Sequence, residues 1–449
     1  MRKRLFGTDG IRGKANHPPM TGEMAFEIGR ASAHVLKKKD GRDIILIGKD
    51  TRLSGYMLES ALTSGICSMG VNVILVGPLP TPGIAFATRS LRADAGIVIS
   101  ASHNPYDDNG IKFFSSDGFK LPDSIEEEIE KTIFSKRLKD IRPDGAGIGK
   151  AYRVDDAAGR YIEYVKSTFP RGITLEGMRV VVDCANGSAY KITPHVLSEL
   201  GADVIAIHNK PDGININANC GSTHPDVIQR VVIENNADIG IAHDGDADRT
   251  ILCDEKGELV DGDKIMAICA ISMKDEGRLN KDTVVATVMS NIGLENYLKR
   301  SRVNLIRTKV GDRYVVEEML KGGYNLGGEQ SGHIVFLDYN TTGDGAITAL
   351  QILSIMCKTG KRLSELSSHI PIYPQVLVNV KFTGHKSLEE FPEIGRAIKR
   401  AEKRLNGGRV LVRPSGTEPK IRIMVEGDDM DKIKAIAEEL ADIVRSKMG

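Results

Sequence analysis

The stretch Ala95-Gly96-Ile97-Val98-Ile99-Ser100-Ala101-Ser102-His103-Asn104-Pro105-Tyr106 carries the strongest indication of how this chain folds. Its first five residues form a continuous apolar run, which is typical of a buried strand. Asn104-Pro105 then forces the backbone out of regular structure. The pattern therefore predicts a core strand that ends in a loop carrying a hydroxyl, that of Ser102.

Apolar strand patterns and amphipathic helix patterns alternate along most of the chain. Strand–helix–strand patterns occur three times, at residues 44–76, 179–207 and 283–308. Continuous apolar strands linked by helices are typical of parallel sheets covered on both faces, so we expect a βαβ unit that is used three times. The chain is therefore predicted to be an α/β protein.

The C-terminal part has a different pattern. Lys420–Val425 alternates polar and apolar residues with period two, as a half-exposed antiparallel strand does. The Pro-containing segment Ile370–Pro374 is the expected linker before it, and Gly- and charge-rich stretches near Asp155 and Asp254 mark the other boundaries. The expected domains are residues 1–155, 156–253, 254–368 and 369–449.

Size and composition exclude several classes of protein. The 449 residues are too many for one core, and about 150 residues per domain gives roughly three domains. A net charge of +1 with well-mixed signs does not favour a nucleic-acid or anionic-membrane partner. No stretch is apolar enough to span a bilayer, and the basic start Met1–Arg4 lacks the apolar segment of a signal peptide. The six scattered cysteines contain no CxxC pair, so we expect free thiols and a cytoplasmic location.

Three carboxylates stand at alternate positions in Asp244-Gly245-Asp246-Ala247-Asp248-Arg249. Carboxylates this close repel one another unless a cation neutralises them, so we expect a hard divalent metal. Mg²⁺ suits a site that leaves room for a phosphate oxygen as a further ligand. Arg249, beside this metal, would add a donor for the phosphate.

Two other interpretations of this loop stay open. In an EF-hand the three aspartates would fill positions one, three and five, and Glu255 would fill position twelve. However, Arg249 stands where the EF-hand turn needs Gly, and the flanking patterns are those of strands. The other alternative is an acidic turn that binds nothing.

Two further loops combine glycines with polar side chains. Arg413-Pro414-Ser415-Gly416-Thr417-Glu418-Pro419-Lys420 offers a guanidinium fork, two hydroxyls and exposed backbone N–H groups, which together suit a phosphate. In Gly327-Gly328-Glu329-Gln330-Ser331-Gly332-His333 a carboxylate and a hydroxyl can bind adjacent sugar hydroxyls. A polar hairpin turn and a flexible turn, respectively, are the alternatives.

Lys112 follows Asp108-Asn109-Gly110, which is a tight-turn signal. A short hairpin there would bring Lys112 back toward Ser102, where it can move a proton or offset phosphate charge. The alternative is a solvated lysine on a strand. His103 is expected to position other groups by hydrogen bonding rather than to bind the metal.

Two arginines lie in glycine-containing loops near the N-terminus. Arg12 belongs to Phe6–Gly13, and Arg52 belongs to Gly48–Arg52. Each arginine either reaches a phosphate or caps a surface turn, and the sequence leaves both interpretations open.

Together, the loops around Ser102, Asp244, Glu329 and Arg413 resemble the signature loops of the α-D-phosphohexomutase superfamily, in the same order and over essentially the whole chain. The resemblance implies three βαβ-rich mixed-sheet domains and a smaller α+β C-terminal domain around a central cleft. In chain order these would be a phosphoserine domain, a metal-binding domain, a sugar-binding domain and a phosphate-binding domain.

The resemblance also implies roles for individual residues. It makes Ser102 the phosphoserine that carries the phosphoryl group, and a ligand of one Mg²⁺ per active site. It assigns the other metal ligands to Asp244, Asp246 and Asp248. It assigns sugar recognition to Glu329 and Ser331, and the grip on the non-reacting phosphate to Arg413, Ser415, Gly416 and Thr417.

Within the superfamily, Phe6–Gly13 and Gln330 resemble the branch that acts on glucosamine phosphates, whereas relatives acting on mannose and glucose phosphates typically carry Met in place of Gln330. We therefore expect an isomerase-class mutase that interconverts glucosamine 6-phosphate and glucosamine 1-phosphate. A phosphoserine enzyme and a sugar 1,6-bisphosphate, which also activates it, would be the intermediates. Lys112 is expected to transfer a proton, with Arg12, Arg249 and His103 beside it.

Three alternatives stay open. A mutase for mannose or glucose phosphates would keep the same chemistry, and a magnesium-dependent phosphatase would release inorganic phosphate. A non-catalytic phosphosugar-binding protein would keep the metal and phosphate loops without needing a phosphoserine. The expected partner is a phosphosugar, with neither nucleic acid nor membrane, and a homodimer is one option for the assembly.

Overall fold

The computed structural model describes residues 5–7, 9–37, 43–135, 138–382, 390–405, 407–414 and 420–448. The first segment of the chain builds a mixed sheet with flanking helices. Its strands are β1 (Ile11–Lys14), β2 (Ile44–Lys49), β3 (Asn72–Pro78), β4 (Ala95–Ile99), β5 (Asp108–Ser115) and β6 (Ala151–Arg153). Its helices are α1 (Gly22–Leu36), α2 (Ser54–Cys67), α3 (Thr81–Ser90) and α4 (Asp123–Phe134).

Two more mixed sheets follow. The second segment contains α5 (Ala157–Ser167), β7 (Arg179–Asp183), α6 (Ile192–Glu199), β8 (Asp203–Ile207), α7 (Pro225–Glu234), β9 (Ile239–His243), β10 (Thr250–Asp254) and β11 (Leu259–Val260). The third contains α8 (Gly262–Asp275), β12 (Thr283–Thr287), α9 (Ile292–Arg300), β13 (Asn304–Thr308), α10 (Asp312–Gly322), β14 (Leu326–Gly328), β15 (Ile334–Phe336), α11 (Gly345–Thr359) and α12 (Leu363–Ser367).

The last segment is a three-stranded antiparallel sheet with two helices. Its elements are β16 (Gln375–Lys381), α13 (Pro392–Arg404), β17 (Arg409–Pro414), β18 (Lys420–Glu426) and α14 (Met430–Met448). The strands run in the order β16-β18-β17, and both pairings are antiparallel. This confirms the prediction of an α+β C-terminal part from the period-two pattern of Lys420–Val425.

The three mixed sheets share one strand order. The first contains β5-β4-β2-β3, the second β10-β9-β7-β8 and the third β15-β14-β12-β13. In each, three strands are parallel and the outer one is antiparallel to its neighbour. The βαβ unit predicted three times is thus present three times, and a hairpin after its third strand makes each sheet mixed.

The shared strand order explains where the functional loops lie. In open α/β sheets ligands bind beyond the carboxyl ends of the strands, where the strand order reverses. Here the hairpin after the third parallel strand begins at that edge each time. The loop with Ser102 follows β4, the loop with Asp244 follows β9, and the loop with Glu329 follows β14.

A hydrophobic core fixes the first sheet and therefore the position of its loops. Helices α1, α2 and α4 cover one face, where Ile28, Leu58, Leu62 and Ile129 pack with the strand residues Ile45, Ile47, Val73, Ile97 and Ile99. All of these side chains are at most 2% exposed. Because β4 is held on both sides by neighbouring strands, the loop after it starts from a rigid support.

The described chain divides into two compact units. One contains residues 1–289 and 303–369, and the other contains residues 290–302 and 370–449. Helix α9 belongs to the second unit, where the side chain of Asn291 just before it donates to the Tyr373 carbonyl at 2.9 Å and accepts from the Tyr373 amide at 3.0 Å.

One local prediction needs correction. Asp108-Asn109-Gly110 is not a tight turn but the start of β5, because these residues pair with Lys14, Gly13 and Arg12 of β1. Among the residues that the structure describes, no helix is long and apolar enough to cross a bilayer.

Candidate active site

Ser102 lies at the end of β4 and is 1% exposed. Its Oγ donates a hydrogen bond to Asp244 Oδ2 at 2.6 Å, which joins the serine loop to the aspartate loop of the second sheet. The backbone of Ser102 is left-handed, with φ of 52°. A residue with a side chain is rarely held in this region, and such strain costs about 1–3 kcal/mol, so the surrounding contacts must hold it there.

The aspartate loop packs directly on the serine loop. It connects β9 to β10, and Gly245 lies so close that a Cβ on it would stand 2.7 Å from the Ser102 carbonyl oxygen. Glycine is therefore required at this close approach. The contact sets the distance between the hydroxyl and the carboxylates.

Asp244, Asp246 and Asp248 are all buried, and one carboxylate oxygen of each lies within 4.8 Å of the others. Burial, together with the charges of Asp248 and Asp246, raises the pKa of Asp244 well above its usual range. Within the described part of the chain, Asp246 Oδ1 and Asp248 Oδ1 are buried and have no hydrogen-bond partner. Oxygen-only ligands, mutual repulsion and two unpartnered oxygens fit a hard divalent cation.

The EF-hand alternative is wrong. The aspartate loop joins two antiparallel strands, β9 and β10, rather than two helices. Glu255, which would be the twelfth residue of an EF-hand, instead accepts a hydrogen bond from the Ser364 amide at 3.3 Å. Its carboxylate is therefore engaged by the first turn of α12 and does not join the three aspartates.

Lys112 lies on β5 opposite Val98 of β4, and its side chain is 2% exposed. Its Nζ is 2.9 Å from Asp246 Oδ2, 3.4 Å from Asp9 Oδ2 and 3.9 Å from Asp248 Oδ2. Burial alone would lower the pKa of Lys112, but these carboxylates outweigh it and raise the pKa above its usual range. Lys112 is thus a buried ammonium directed at the aspartate loop, and the alternative of a solvated surface lysine is wrong.

His103 and two arginines lie around the serine. His103 Nδ1 is 3.4 Å from Ser102 Oγ. Burial lowers the pKa of His103 to about 4, and the positive charges of Arg249 and Arg12 act in the same direction. A neutral imidazole beside the hydroxyl can accept or donate a hydrogen bond. Both arginines therefore lie close enough to act on the imidazole of His103.

Each of these arginines also contacts a carboxylate. Arg12 binds Asp9, and Arg249 Nε lies 3.7 Å from Asp248 Oδ1. Burial alone would lower the pKa of Arg249, but Asp248, Asp244, Glu329 and Asp246 raise it. Guanidinium groups in this position can donate hydrogen bonds to a phosphoryl group and offset its negative charge.

The glycine-rich loop after β14 brings only part of its predicted set to the site. Glu329 Oε1 accepts from the Gly311 amide at 3.2 Å, and its charge acts on Arg249. Ser331 is exposed. The side-chain amide of Gln330 donates a hydrogen bond to Oδ2 of Asp261, the residue before α8, at 3.3 Å. Glu329, through its charge on Arg249, and His333, which lies 3.6 Å from Asp248, therefore link this loop to the aspartate loop.

Three charged residues of the site, Asp9, Lys120 and Asp312, are not identified by the sequence as functional candidates. Lys120 Nζ contacts Asp9 and lies 2.5 Å from Asp312 Oδ2. His333 lies 3.6 Å from Asp248 and 3.5 Å from Asp312. Together Asp9, Lys120, Asp312 and His333 extend the charge cluster from the first sheet to the third. Their only sequence signal was their position in or beside glycine-containing loops.

The predicted phosphate loop lies in the second compact unit. Arg413 is on β17, across from Arg422 of β18. Burial lowers the pKa of Arg413, and so does the charge of Arg422. The other predicted members of this loop, Ser415, Gly416 and Thr417, lie outside the described residues.

Comparisons with known proteins cover the whole chain. Sequence models of the phosphoglucomutase/phosphomannomutase family match its α/β/α domain I at residues 3–140, domain II at 159–257, domain III at 261–373 and C-terminal domain at 377–443. The phosphoglucosamine mutase of Geobacter sp. (strain M21) is 61% identical over 448 residues, which covers 100% of this chain and 99% of that protein. The phosphoglucosamine mutase of Syntrophotalea carbinolica is 58% identical over 451 residues, with the same coverage.

Solved structures show the same fold. A phosphoglucomutase/phosphomannomutase family protein from Burkholderia thailandensis has a TM-score of 0.80 at 23% identity, over 99% of this chain and 98% of that one. The Aspergillus fumigatus N-acetylphosphoglucosamine mutase, in complex with GlcNAc-6P and magnesium, has a TM-score of 0.70 at 18% identity, over 100% of this chain and 96% of that one.

Proposed function

The chain belongs to the phosphoglucomutase/phosphomannomutase family and is a mutase, an isomerase-class phosphotransferase; we propose that it interconverts glucosamine 6-phosphate and glucosamine 1-phosphate. The observation that carries the proposal is the contact of Ser102 Oγ with Asp244, inside a cluster that also holds Lys112, Arg12 and Arg249. A hydroxyl in such a setting can carry a phosphoryl group and return it.

The proposed reaction has two transfers. In the first, the bond between phosphorus and Ser102 Oγ breaks, and a bond forms to O1 of glucosamine 6-phosphate, whose hydroxyl proton is lost while Ser102 gains one. The product is glucosamine 1,6-bisphosphate, which reorients in the site so that its 6-phosphoryl group faces Ser102. In the second, the bond between phosphorus and O6 breaks and a bond forms to Ser102 Oγ, whose proton is lost while O6 gains one, and glucosamine 1-phosphate leaves. A sugar 1,6-bisphosphate supplied from outside would load the enzyme in the same way.

Asp244, Asp246, Asp248 and Ser102 are the residues that would hold Mg²⁺. The bound ion would neutralise charge that builds on the transferring group. Arg12 and Arg249 would orient the phosphoryl group. The burial of Ser102 and of the three aspartates would keep away water that could hydrolyse it. Exclusion of water is what separates a mutase from a phosphatase at such a site.

Lys112 is proposed to give a proton to Ser102 Oγ as the phosphoryl group leaves, and to balance the charge of the aspartates. We expect Lys112→Met to lower kcat by about 10²-fold or more with little change in KM. Lys112→Arg keeps the charge but cannot release a proton. Partial recovery of kcat in Lys112→Arg would show that charge matters most, and equal loss in both variants would show proton transfer. A Lys112→Met enzyme within threefold of wild type would contradict both roles.

Substrate recognition is assigned to the remaining loops. We propose that Glu329 and Ser331 bind sugar hydroxyls and that Arg413, Ser415, Gly416 and Thr417 hold the non-reacting phosphate. The side chain of Gln330 affects sugar recognition indirectly. Its side-chain amide donates a hydrogen bond to Asp261 that sets the position of the sugar loop, and a methionine could not make this hydrogen bond. The four domains at 1–155, 156–253, 254–368 and 369–449, a cytoplasmic location and a homodimer are further parts of the proposal.

The test is a coupled assay with Mg²⁺ and catalytic sugar bisphosphate. Glucosamine 6-phosphate, glucose 1-phosphate and mannose 1-phosphate are compared at equal concentration, with phosphorylation of Ser102 verified by intact mass. We expect the highest kcat/KM for glucosamine 6-phosphate. Equal or faster turnover of glucose or mannose phosphate would contradict the proposed substrate. Steady release of inorganic phosphate would indicate a phosphatase, and no turnover by the phosphorylated protein would indicate a binding protein.

A further inference from the structure

The sequence allows two interpretations of Arg52, a phosphate contact or a cap on a surface turn. The structure supports neither. Arg52 is fully buried, at 0% exposure, in the turn after β2. Its guanidinium points under the loop that follows β4, so it contacts the backbone of the serine loop rather than a ligand or solvent.

Every N–H of this guanidinium has an acceptor. Its Nε donates to Asp50 Oδ2 at 2.9 Å. One terminal nitrogen donates to the Ser102 carbonyl at 3.0 Å and the Asn104 carbonyl at 2.8 Å. The other donates to the Pro105 carbonyl and, at 3.1 Å, to the Asp108 carbonyl. Four carbonyls of one loop are thus fixed to a single planar group.

Asp50 connects the same turn to the serine amide. Its Oδ2 accepts from Ser100 Oγ at 2.6 Å, and Ser100 Oγ in turn accepts from the Ser102 amide at 2.9 Å. Asp50 and Ser100 are 1% and 0% exposed. Ser102 is therefore held at its amide through Ser100 and at its carbonyl by Arg52.

This support explains how Ser102 keeps its left-handed backbone. Hydrogen bonds to a charged guanidinium are stronger than those between neutral groups, so they can offset the strain of a non-glycine residue at positive φ. From the chain after β8, the side-chain amide of Asn217 donates to the Ser102 carbonyl at 2.9 Å and the Asn104 carbonyl at 3.0 Å. The direction of the hydroxyl toward Asp244 depends on this backbone.

We propose that Arg52, held by Asp50, is a positioning residue for phosphoryl transfer, and that the Asp50–Ser100–Arg52 network sets the orientation of the Ser102 hydroxyl. This inference rests on the proposed function, in which Ser102 carries the phosphoryl group. Arg52 reaches no reacting atom, so it acts on the rate of transfer and not on sugar binding. A displacement of about 1 Å in a reacting group can cost about 10²-fold in rate.

The experiment compares Arg52→Met with Lys49→Met. Lys49 belongs to the same turn, is 1% exposed and pairs with Glu59 at 2.5 Å, but its described contacts do not include the serine loop. Both variants lose a buried cation from an ion pair, so both should lose thermal stability. We expect Arg52→Met to lower kcat by about 10²-fold with KM within threefold of wild type, and Lys49→Met to keep kcat within about threefold.

A milder variant covers the case in which Arg52→Met does not fold. Ser100→Ala removes one hydroxyl from the network and is expected to lower kcat by about tenfold at unchanged KM. The proposal is overturned if Arg52→Met or Ser100→Ala keeps wild-type kcat, if Lys49→Met loses as much kcat as Arg52→Met, or if the loss appears in KM. Ser102→Ala is measured in parallel. Full activity of Ser102→Ala would refute the proposed function itself, whereas an inactive Ser102→Ala beside an active Arg52→Met would refute the positioning role alone.

Discussion

Ser102→Ala is expected to lower kcat by about 10⁴-fold or more while the protein stays folded. Removal of Oγ deletes the atom that carries the phosphoryl group, and no neighbouring group can replace it. The structural cost is the 2.6 Å hydrogen bond to Asp244 and the weaker 3.4 Å contact with His103, together roughly 1 kcal/mol of stability. The measurement is turnover of glucosamine 6-phosphate, together with the melting temperature and the intact mass after incubation with a sugar 1,6-bisphosphate.

Ser115→Ala is the matched control. Ser115 lies at the end of β5 in the same hairpin, and its Oγ donates to the Phe119 carbonyl at 3.2 Å, away from the aspartates. This variant should keep wild-type kcat and gain the mass of one phosphoryl group, whereas Ser102→Ala should gain none. Phosphorylated Ser102→Ala, or turnover near that of Ser115→Ala, would assign the phosphoryl carrier to a different residue.

The sequence contained enough information to find the strands that carry the site. The strand predicted at Ala95–Ile99 has the bounds of β4, and the patterns predicted at 179–207 and 283–308 run from the start of β7 to the end of β8 and from the start of β12 to the end of β13. Strands β4, β7 and β12 are apolar because they are buried on both faces, so hydrophobicity alone identifies them. Polar loops at their carboxyl ends fall on one edge of each sheet. This is why the sequence alone identifies Ser102 and Asp244 as candidates for one site.

The contacts that complete the site were not predictable in the same way. Lys112 and Asp246 are 134 positions apart, and the pair of Lys120 and Asp312 also joins distant parts of the chain. Local patterns do not register such pairs, since each partner alone resembles a surface charge. Arg52 shows the limit well. Its sequence context is compatible with a phosphate contact or a surface turn, and only the fold reveals that the guanidinium lies under the serine loop.

Removal of the metal is expected to lower kcat by about 10³-fold or more, and addition of Mg²⁺ to the chelated protein should raise its melting temperature by a few degrees. The second effect does not depend on catalysis. In the metal-free protein, burial and the nearby charges of Asp248 and Asp246 disfavour the ionised form of Asp244 and raise its pKa. A cation offsets this effect in the folded state only, so binding stabilises the folded protein by mass action, by about 2.7 kcal/mol at a hundredfold excess over Kd.

Asp244→Asn gives this prediction a sharp form, because its two expected effects have opposite signs. In chelator the variant should be at least as stable as wild type, since one buried charge is gone while the amide oxygen can still accept from Ser102. With Mg²⁺ it should lose the gain in melting temperature that wild type shows. Asp254→Asn is the control, because Asp254 is a buried carboxylate on β10 that accepts from the Lys256 and Glu258 amides at 2.9 Å. That variant should be less stable than wild type in chelator and yet respond to Mg²⁺ in full. If Mg²⁺ raises the melting temperature of Asp244→Asn as much as that of wild type, the cation binds at a different site.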